Sequence, residues 1–336
     1  MSATSTTYME SIILTAYGKP PLLEVGKRPV GEPATGQVLI KVMASPINPS
    51  DLIFLSGHNP NARKLPSVPG FEGSGTVVKS GGGKEADALI DKKVAFRSRP
   101  DIDGAWAQFT VTDADRCIPL LDAVSFTAGA MLLVNPLTAW TLVDCALTGG
   151  HKCAIQNAAA SALGRMVIKY AQERGLPLIN IVRKSEHVDL LKSLGVEEIL
   201  NSEDQDFESQ LACRAAALKA TVAFDAVAGS AANLLLKSMP RRSELWSYGG
   251  LSEQPVQIDP MVLIYEQKVV RGFWGPPTFQ QLPKDRFEAA AREIQEHLDT
   301  TFKTNVHKTF PLGDVQKALS EYQSNMSQGK ILLTMN

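Results

Sequence analysis

Two short stretches carry residues whose types and spacing suit chemistry. In QNAAASALGRM (Gln156–Met166), Ala158, Ser161 and Gly164 stand three and three apart, between the apolar run CAI and the segment VIKYAQERG. Small residues in a strand–turn–helix allow a tight turn, close approach of the backbone to a pyrophosphate and close packing of helix on sheet. Glycine usually fills such positions. Alanine and serine are its smallest substitutes, and Ser161 can donate a hydrogen bond to a phosphate. The helix N-terminus behind them offers free N–H groups to an anion. Taken alone, the stretch reads equally well as the alanine-rich start of an ordinary helix. The second stretch, PLINIVRKSEH, ends in Arg183, Lys184 and Ser185 with no acid before Glu186. An NAD site places an acid at this strand end to hold the ribose hydroxyls, whereas two cations and a hydroxyl suit the 2′-phosphate of NADP. The competing reading is a basic cap on a solvent-facing loop. Strand, small-residue turn, helix, strand and basic end in this order favour NADP(H).

The elements that must position these residues alternate. After Ala128 the pattern predicts strand HKCAIQN, helix LGRMVIKYAQERG, strand PLINIVR, helix SEHVDLLKSLG and strand EEIL. It continues with helix DFESQLACRAAALKA, strand TVAFDAV, helix SAANLLLKSMP, strand ELWSYGG, strand KVVRGFW and helix KDRFEAAAREIQEHL. Such alternation is the sequence form of an α/β, doubly wound parallel sheet. From Ile12 to Arg116 the signals are short strands and turns, with INPSD, KLPSVPGFEG and SRPDIDGA as loops, so this part predicts a β-rich domain. The tail, HKTFPL–GDVQKALSEYQ–KILLTM, reads strand, helix, strand and is expected to return to it. The expected domains are therefore 10–127 with 303–336, and 128–302.

A chain of 336 residues has length enough for two domains, and 44% hydrophobic with 21% charged residues is ordinary for a globular protein. With 34 Lys and Arg against 35 Asp and Glu, nothing supports a nucleic-acid or membrane-attracting surface. Cys117, Cys145, Cys153 and Cys213 are scattered, so they are expected to be buried, reduced thiols rather than a disulfide framework. The opening MSATSTTYMES has no signal- or transit-peptide character and is expected to be a disordered lead-in. AGAMLLVNPLTAWTLVDCAL is long enough to span a bilayer, but Asn135-Pro136 and Asp144 interrupt it. It is read as two buried helical turns flanking a bend, in a soluble, cytoplasmic protein.

A set of segments resembles the medium-chain dehydrogenase/reductase family over about residues 10 to 336. They are SPINPSD (Ser45–Asp51), VPGFEGSGTV (Val68–Val77), VNPLTAW (Val134–Trp140), QNAAASALG, LLKSLGVEEIL, FDAVAG, SYGGLSEQP (Ser247–Pro255), RGFWG (Arg271–Gly275) and GKILLTM. Within that family the set resembles the zinc-free branch of trans-2-enoyl thioester reductases and quinone oxidoreductases, and SYGGLSEQP with RGFWG is similar to its enoyl reductase subgroup. The resemblance implies a Rossmann domain beside a discontinuous GroES-like domain, an active site in the cleft where they meet, and a homodimer joined along KVVRGFW. It also implies that the turn is a working variant, because the enoyl reductases replace its first glycines too. Zinc-dependent members hold their catalytic metal with a Cys at the position of Asn48 and a His at that of Phe71; both ligands are replaced here, so no metal is expected. By position, Asn135 and Thr138 face the nicotinamide, and Ala160, Ser161, Ala162 and Leu163 the pyrophosphate. Arg183, Lys184 and Ser185 hold the 2′-phosphate. Tyr248, Gly249, Gly250, Leu251, Phe273, Trp274 and Gly275 line the cofactor cleft, and Lys330 closes it. FWGPPTFQQLP is expected to shape a stiff pocket wall.

The resembling enoyl reductases use a tyrosine to donate to the enolate oxygen that forms as hydride reaches an activated C=C bond. In LSGHNP (Leu55–Pro60) that position holds Asn59. An amide can donate a hydrogen bond but cannot release a proton at neutral pH; the neighbouring His58 can. The competing reading of His58-Asn59-Pro60 is an exposed turn. The expectation is a zinc-free, NADPH-dependent reductase of a small molecule, an enone, a quinone or a 2-enoyl thioester. The alternative is an NADPH-binding redox sensor or structural dimer with little catalysis.

Overall fold

A computed structural model describes residues 6–59, 62–325 and 328–335. The first half contains β1 (Tyr8–Ala16), β2 (Leu22–Pro29), β3 (Gln37–Pro46), α1 (Pro49–Leu55), β4 (Glu72–Ser80), α2 (Lys84–Asp87), β5 (Lys93–Arg97), β6 (Phe109–Asp113), β7 (Cys117–Pro119) and α3 (Phe126–Gly129). Next come α4 (Asn135–Thr148), β8 (Ala154–Gln156), α5 (Ala162–Glu173), β9 (Leu178–Val182), α6 (Ser185–Ser193), β10 (Ile199–Asn201), α7 (Phe207–Ala217), β11 (Val222–Asp225), α8 (Ser230–Ser238) and β12 (Glu244–Ser247). The chain continues with α9 (Pro260–Glu266), β13 (Val269–Gly272), α10 (Gly275–Gln280) and α11 (Lys284–Glu296). It closes with β14 (Val306–Pro311), α12 (Val315–Ser324) and β15 (Lys330–Thr334). Two compact units result: Met1–Val134 with Glu288–Asp299 and Lys303–Asn336, and Asn135–Phe287 with Thr300–Phe302.

In the second unit the strands form one parallel sheet, ordered β10-β9-β8-β11-β12-β13. Every residue of β9 and β11 is buried, as expected of parallel strands covered by helices on both faces. Ile155, Ile179, Leu211, Ala223, Leu235 and Leu245 belong to its core. The chain steps outward from β8 to β10, then restarts on the other side of β8 at β11. That reversal is where open α/β sheets bind ligands, beyond the carboxyl ends of the strands.

In the first unit β1 and β2 form an antiparallel ribbon, and β14-β15-β3-β4-β5-β7 a sheet in which β6 also pairs with β3. The C-terminal β15 lies antiparallel to β3, with Leu332 opposite Pro46. Ile12, Leu14, Ile40, Phe54, Phe96, Trp106 and Leu333 belong to the core.

Several local expectations need correction. The lead-in is ordered from Tyr8, which starts β1 paired with β2; Met1 to Ser5 lie outside the described residues. INPSD starts α1 rather than a loop, because Pro49 occupies the first helical position, where its missing N–H costs nothing. In the apolar stretch the chain bends at 130–134, between the end of α3 at Gly129 and the start of α4 at Asn135, so Asn135-Pro136 opens a helix of fourteen residues rather than forming the bend itself. Asp144 does not interrupt it: both its oxygens accept from Arg286 Nη2, at 2.6 and 2.7 Å. Pro276 and Pro277 likewise open α10. Of the thiols, Cys117 and Cys153 are buried, but Cys145 is half-buried and Cys213 exposed. No helix among the described residues is long and apolar enough to cross a membrane.

The Asp144–Arg286 pair is asymmetric, with the carboxylate side 6% exposed and the guanidinium 42%. Removing the cation strands a buried anion, whereas removing the anion leaves a cation that water can reach. Arg286→Met is therefore expected to cost about 2–3 kcal/mol of stability and Asp144→Ala about 1–2. Urea unfolding at constant m-value measures both; the reverse order would show that the carboxylate is not the stranded partner.

Candidate functional site

At the sheet's switch point the turns after β8 and β11 are tied together. Asn157 Nδ2 donates to Asp225 Oδ1 at 2.6 Å, and Asn157 Oδ1 accepts from the Ala226 amide at 2.7 Å. The Val227 and Ala228 amides also donate to Asp225 Oδ1, at 2.9 and 3.0 Å, so this buried carboxylate shapes its own following turn. In the β8 turn Ala158 has a φ of 50°, in the left-handed region where glycine is usual. Gly164 is needed for a different reason: a Cβ there would lie 2.5 Å from the Ala159 carbonyl oxygen and 2.7 Å from that of Ala158. Ser161 is the N-cap of α5, its Oγ accepting from the Gly164 amide at 3.0 Å. The amides of Ala162 and Leu163 are left without intrahelical acceptors, next to the buried Ala160. The turn lies against β9, since the Ala159 amide donates to the Ile181 carbonyl at 3.2 Å.

The other expected cofactor residues of this unit follow β9, β12 and β13, except Asn135 and Thr138, which lie in α4. Arg183, Lys184 and Ser185 are exposed where β9 passes into α6, with Lys184 Nζ 3.2 Å from Glu186 Oε1. After β12, the Tyr248 amide donates to the Asp225 carbonyl and that of Leu251 to the Ala226 carbonyl. A Cβ on Gly249 would meet the Ala226 oxygen at 2.7 Å, while Gly250 has open space. Tyr248 Oη is buried with no hydrogen-bond partner, and burial, reinforced by Asp225, pushes its pKa well up. Phe273 stacks on Trp246 at 5.4 Å between centroids, while Trp274 is 61% exposed. Gly275 lets α10 approach Thr138, whose Oγ1 would lie 2.6 Å from a Cβ there; Thr138 and Asn135 are buried in the first turn of α4.

In the first unit, His58 and Asn59 follow α1 through a turn at Gly57 (φ 83°); Pro60 lies outside the described residues. Ser56 Oγ donates its hydrogen to the Ile53 carbonyl at 2.8 Å and lies 2.9 Å from His58 Nδ1. Because the hydroxyl hydrogen is already committed, Nδ1–H is the donor in that contact. The neutral ring then presents a bare Nε2, and only the imidazolium can donate from it.

The first unit also holds a buried group in which only Lys330 was assigned a binding role from the sequence, that of closing the cofactor cleft. Lys330 Nζ donates to Asn48 Oδ1, and Asn48 Nδ2 donates to Glu72 Oε1 at 2.9 Å. Glu72 Oε2 accepts from the amides of Leu133 and Val134, at 3.0 and 2.9 Å. The Asn48 amide donates to Asp51 Oδ2 at 2.8 Å, while Asp51 Oδ1 has no partner. Burial raises the Asp51 pKa to about 7, and raises that of Glu72 against the opposing Lys330 charge; burial lowers that of Lys330. Arg63 is buried nearby, its guanidinium over the Phe54 and Phe71 rings and donating to the Val68 and Arg99 carbonyls. The signal in the sequence is an acid inside each apolar motif, SPINPSD and VPGFEGSGTV.

With the geometry in hand, the relatives can be placed. The family described as "Alcohol dehydrogenase GroES-like domain" matches residues 34–122, and "Zinc-binding dehydrogenase" matches residues 162–296. The chain is 30% identical to the mitochondrial enoyl-[acyl-carrier-protein] reductase of Mus musculus, over 89% of this chain and 81% of that one. It is 32% identical to a crystal structure assigned as an NADPH:quinone reductase from Mesorhizobium loti, with a TM-score of 0.85 over 98% and 99% of the two chains. A mycobacterial protein solved in complex with NADPH is 26% identical, with a TM-score of 0.80 over 97% and 99%. The chain belongs to the medium-chain dehydrogenase/reductase family. The zinc in one family description does not fit the donors present. Asn48 and Phe71 offer an amide and a phenyl ring, the Asn48 oxygen accepts from an ammonium, and no three metal-binding side chains gather among the described residues.

The strained Ala158 backbone gives a first expected outcome. A left-handed alanine costs about 1–2 kcal/mol, and glycine's extra unfolded-state freedom returns about 0.5–1. Ala158→Gly should therefore raise the urea midpoint by an amount equivalent to roughly 0.5–1 kcal/mol; a lower midpoint would show that the turn is unstrained. Asp51 gives a second. Its folded pKa of about 7 lies above the ordinary 3.8 of an exposed aspartate, so between those values the folded state holds a proton that the unfolded state has lost. Stability from this group falls as pH rises from 4 to 7, then levels, by up to roughly 4 kcal/mol. Asp51→Asn, which keeps an acceptor for the Asn48 amide, should remove that slope. Urea unfolding at pH 5 and pH 8 should show the variant gaining on the wild type at the higher pH; parallel pH profiles would place the Asp51 pKa near that of a free carboxyl.

Proposed function

We propose that the protein is an NADPH-dependent reductase that delivers hydride to an activated C=C bond or a quinone without zinc. The observation that carries this reading is the set of groups at the switch point of the second unit. These are the open amides of Ala162 and Leu163, the unpartnered Tyr248 hydroxyl and the cations of Arg183 and Lys184 at the adjacent strand end. They suit a pyrophosphate, a polar cofactor group and a 2′-phosphate respectively. The NADPH bound by the mycobacterial relative, and the reductase names of the others, point the same way.

Bound NADPH supplies the hydride. The amides of Ala162 and Leu163, with the Ser161 hydroxyl, take the pyrophosphate at the helix N-terminus; Arg183, Lys184 and Ser185 hold the 2′-phosphate. Asn135 and Thr138 orient the nicotinamide, and Gly249, Gly250 and Leu251 form a turn that lets the cofactor lie close to the backbone. Phe273 braces this region through Trp246. As the acceptor carbonyl gathers charge, the Asn59 amide donates to its oxygen, and His58 delivers a proton when its ring is charged. Quinones and enones accept hydride more readily than thioesters and tolerate this weaker donor. The exposed edge of β13 suits a homodimer joined edge to edge.

Three tests decide. Loss of NADPH absorbance with a quinone, an enone and a trans-2-enoyl-CoA in turn should show turnover on the first two. Tight NADPH binding with no turnover on any acceptor would leave a cofactor-binding protein with no reductase chemistry. Asn59→Ala and His58→Ala should each lower kcat with little change in KM, and full turnover by both would remove them from the mechanism. The Arg183→Ala, Lys184→Ala double variant should weaken NADPH binding roughly tenfold or more and leave NADH binding unchanged. Equal losses for both cofactors would mean that this basic end does not read the 2′-phosphate.

A further inference from the structure

The interior of the first unit encloses four charged side chains, Asp51, Arg63, Glu72 and Lys330, none more than 5% exposed. Two are acidic and two basic. Burying ions in this way is costly unless each is compensated and hydrogen-bonded. The link between Lys330 and Glu72 runs through the neutral Asn48 amide. Only asparagine and glutamine among uncharged side chains offer an oxygen that can only accept together with a nitrogen that only donates. The ammonium can only donate and an ionised carboxylate can only accept, so the Asn48 amide has one permitted orientation. That orientation turns Glu72 so that its second oxygen takes the amides of both Leu133 and Val134. These two residues lead directly into Asn135, the first residue of α4.

We infer that Lys330 is a positioning residue: its ammonium, acting through Asn48, holds Glu72 on the Leu133 and Val134 amides and so sets the backbone from which α4 presents Asn135 and Thr138. The inference rests on the reading that those two side chains meet the nicotinamide. The C-terminal strand then bears on cofactor affinity without touching the cofactor. Lys330 suits this role because its position in β15 places its long stem in the core while its head stays on Asn48. Without the ammonium, burial drives Glu72 toward its neutral form, whose remaining oxygens accept more weakly from the two amides.

The test follows Lys330→Met by two readouts in the full-length chain. Fluorescence titration gives the NADPH dissociation constant, and amide hydrogen exchange of the cofactor-free protein reports on Leu133 and Val134. The expected result is exchange at those two amides faster by about tenfold and NADPH binding weaker by a similar factor, with exchange in β11 and β12 unchanged. Weakened NADPH binding with unchanged exchange would overturn the proposal, because Lys330 would then touch the cofactor itself. Faster exchange with unchanged NADPH binding would also overturn it, because the relay would then hold backbone and nothing more. If Lys330→Met does not fold, Glu72→Gln, which keeps the volume and removes the charge, must show the same paired changes, and the absence of either refutes the relay. Failure of the wild type to bind NADPH would instead refute the cofactor reading and with it the link to affinity, while the exchange data would still decide whether Lys330 holds the two amides.

Discussion

The second unit depends on one buried contact, the pairing of the Asn157 amide with the Asp225 carboxylate. A parallel sheet that reverses its strand order leaves two turns side by side at the reversal, each with backbone N–H groups that water cannot easily reach. Asp225 satisfies those of Val227 and Ala228, while Asn157 satisfies that of Ala226. Two side chains thus complete the hydrogen bonding of one turn and lock it to the other. The carbonyls of Asp225 and Ala226 in turn accept from Tyr248 and Leu251, so the third strand end is registered on the same pair. The three strand ends at the switch point are assembled around a single carboxylate.

The first unit meets a comparable demand with charge rather than with turns. Its sheet and its short helix α1 enclose two acids and two bases, and the acids face backbone amides as well as cations. A direct ammonium–carboxylate pair would leave Glu72 free to rotate about one contact. Inserting an amide fixes both ends, because a flipped asparagine would face donor to donor and acceptor to acceptor. Arg63 is compensated differently, by carbonyl oxygens and by the faces of Phe54 and Phe71. A guanidinium disperses its charge and tolerates such partners better than an ammonium does.

The alternating second unit was legible in the sequence because its strands are short, mainly apolar runs separated by amphipathic helices, so each element announces itself locally. What went unread were elements whose signal is a start rather than a period. Asp259-Pro260 caps and opens α9, with the Asp259 carboxylate accepting from the Met261 amide, and Pro276-Pro277 opens α10. No helix is expected at either from the sequence, where Pro276-Pro277 reads only as part of a stiff wall. The strand ends at the switch point were likewise legible, since each follows an apolar run and precedes a helix or turn signal. The buried relay was not: Asn48, Glu72 and Lys330 lie up to 282 positions apart, and their partnership exists only once β15 has paired with β3. Sequence alone shows an acid in an apolar motif and cannot say which cation compensates it.

The turn after β8 separates needs that glycine usually meets together. At Ala158 the need is conformational: the backbone enters the left-handed region, which alanine reaches at a cost of about 1–2 kcal/mol. At Gly164 the need is spatial. A Cβ would fall within 2.7 Å of two carbonyl oxygens that are themselves part of the turn, so no side-chain adjustment could relieve it. At Ser161 the position has become a cap, with a hydroxyl holding the amide that a bare turn would leave open. A conformational cost can be offset by stability elsewhere in the fold, but a collision with the turn's own backbone cannot. This asymmetry accounts for alanine at the first of the three positions, serine at the second and glycine at the last.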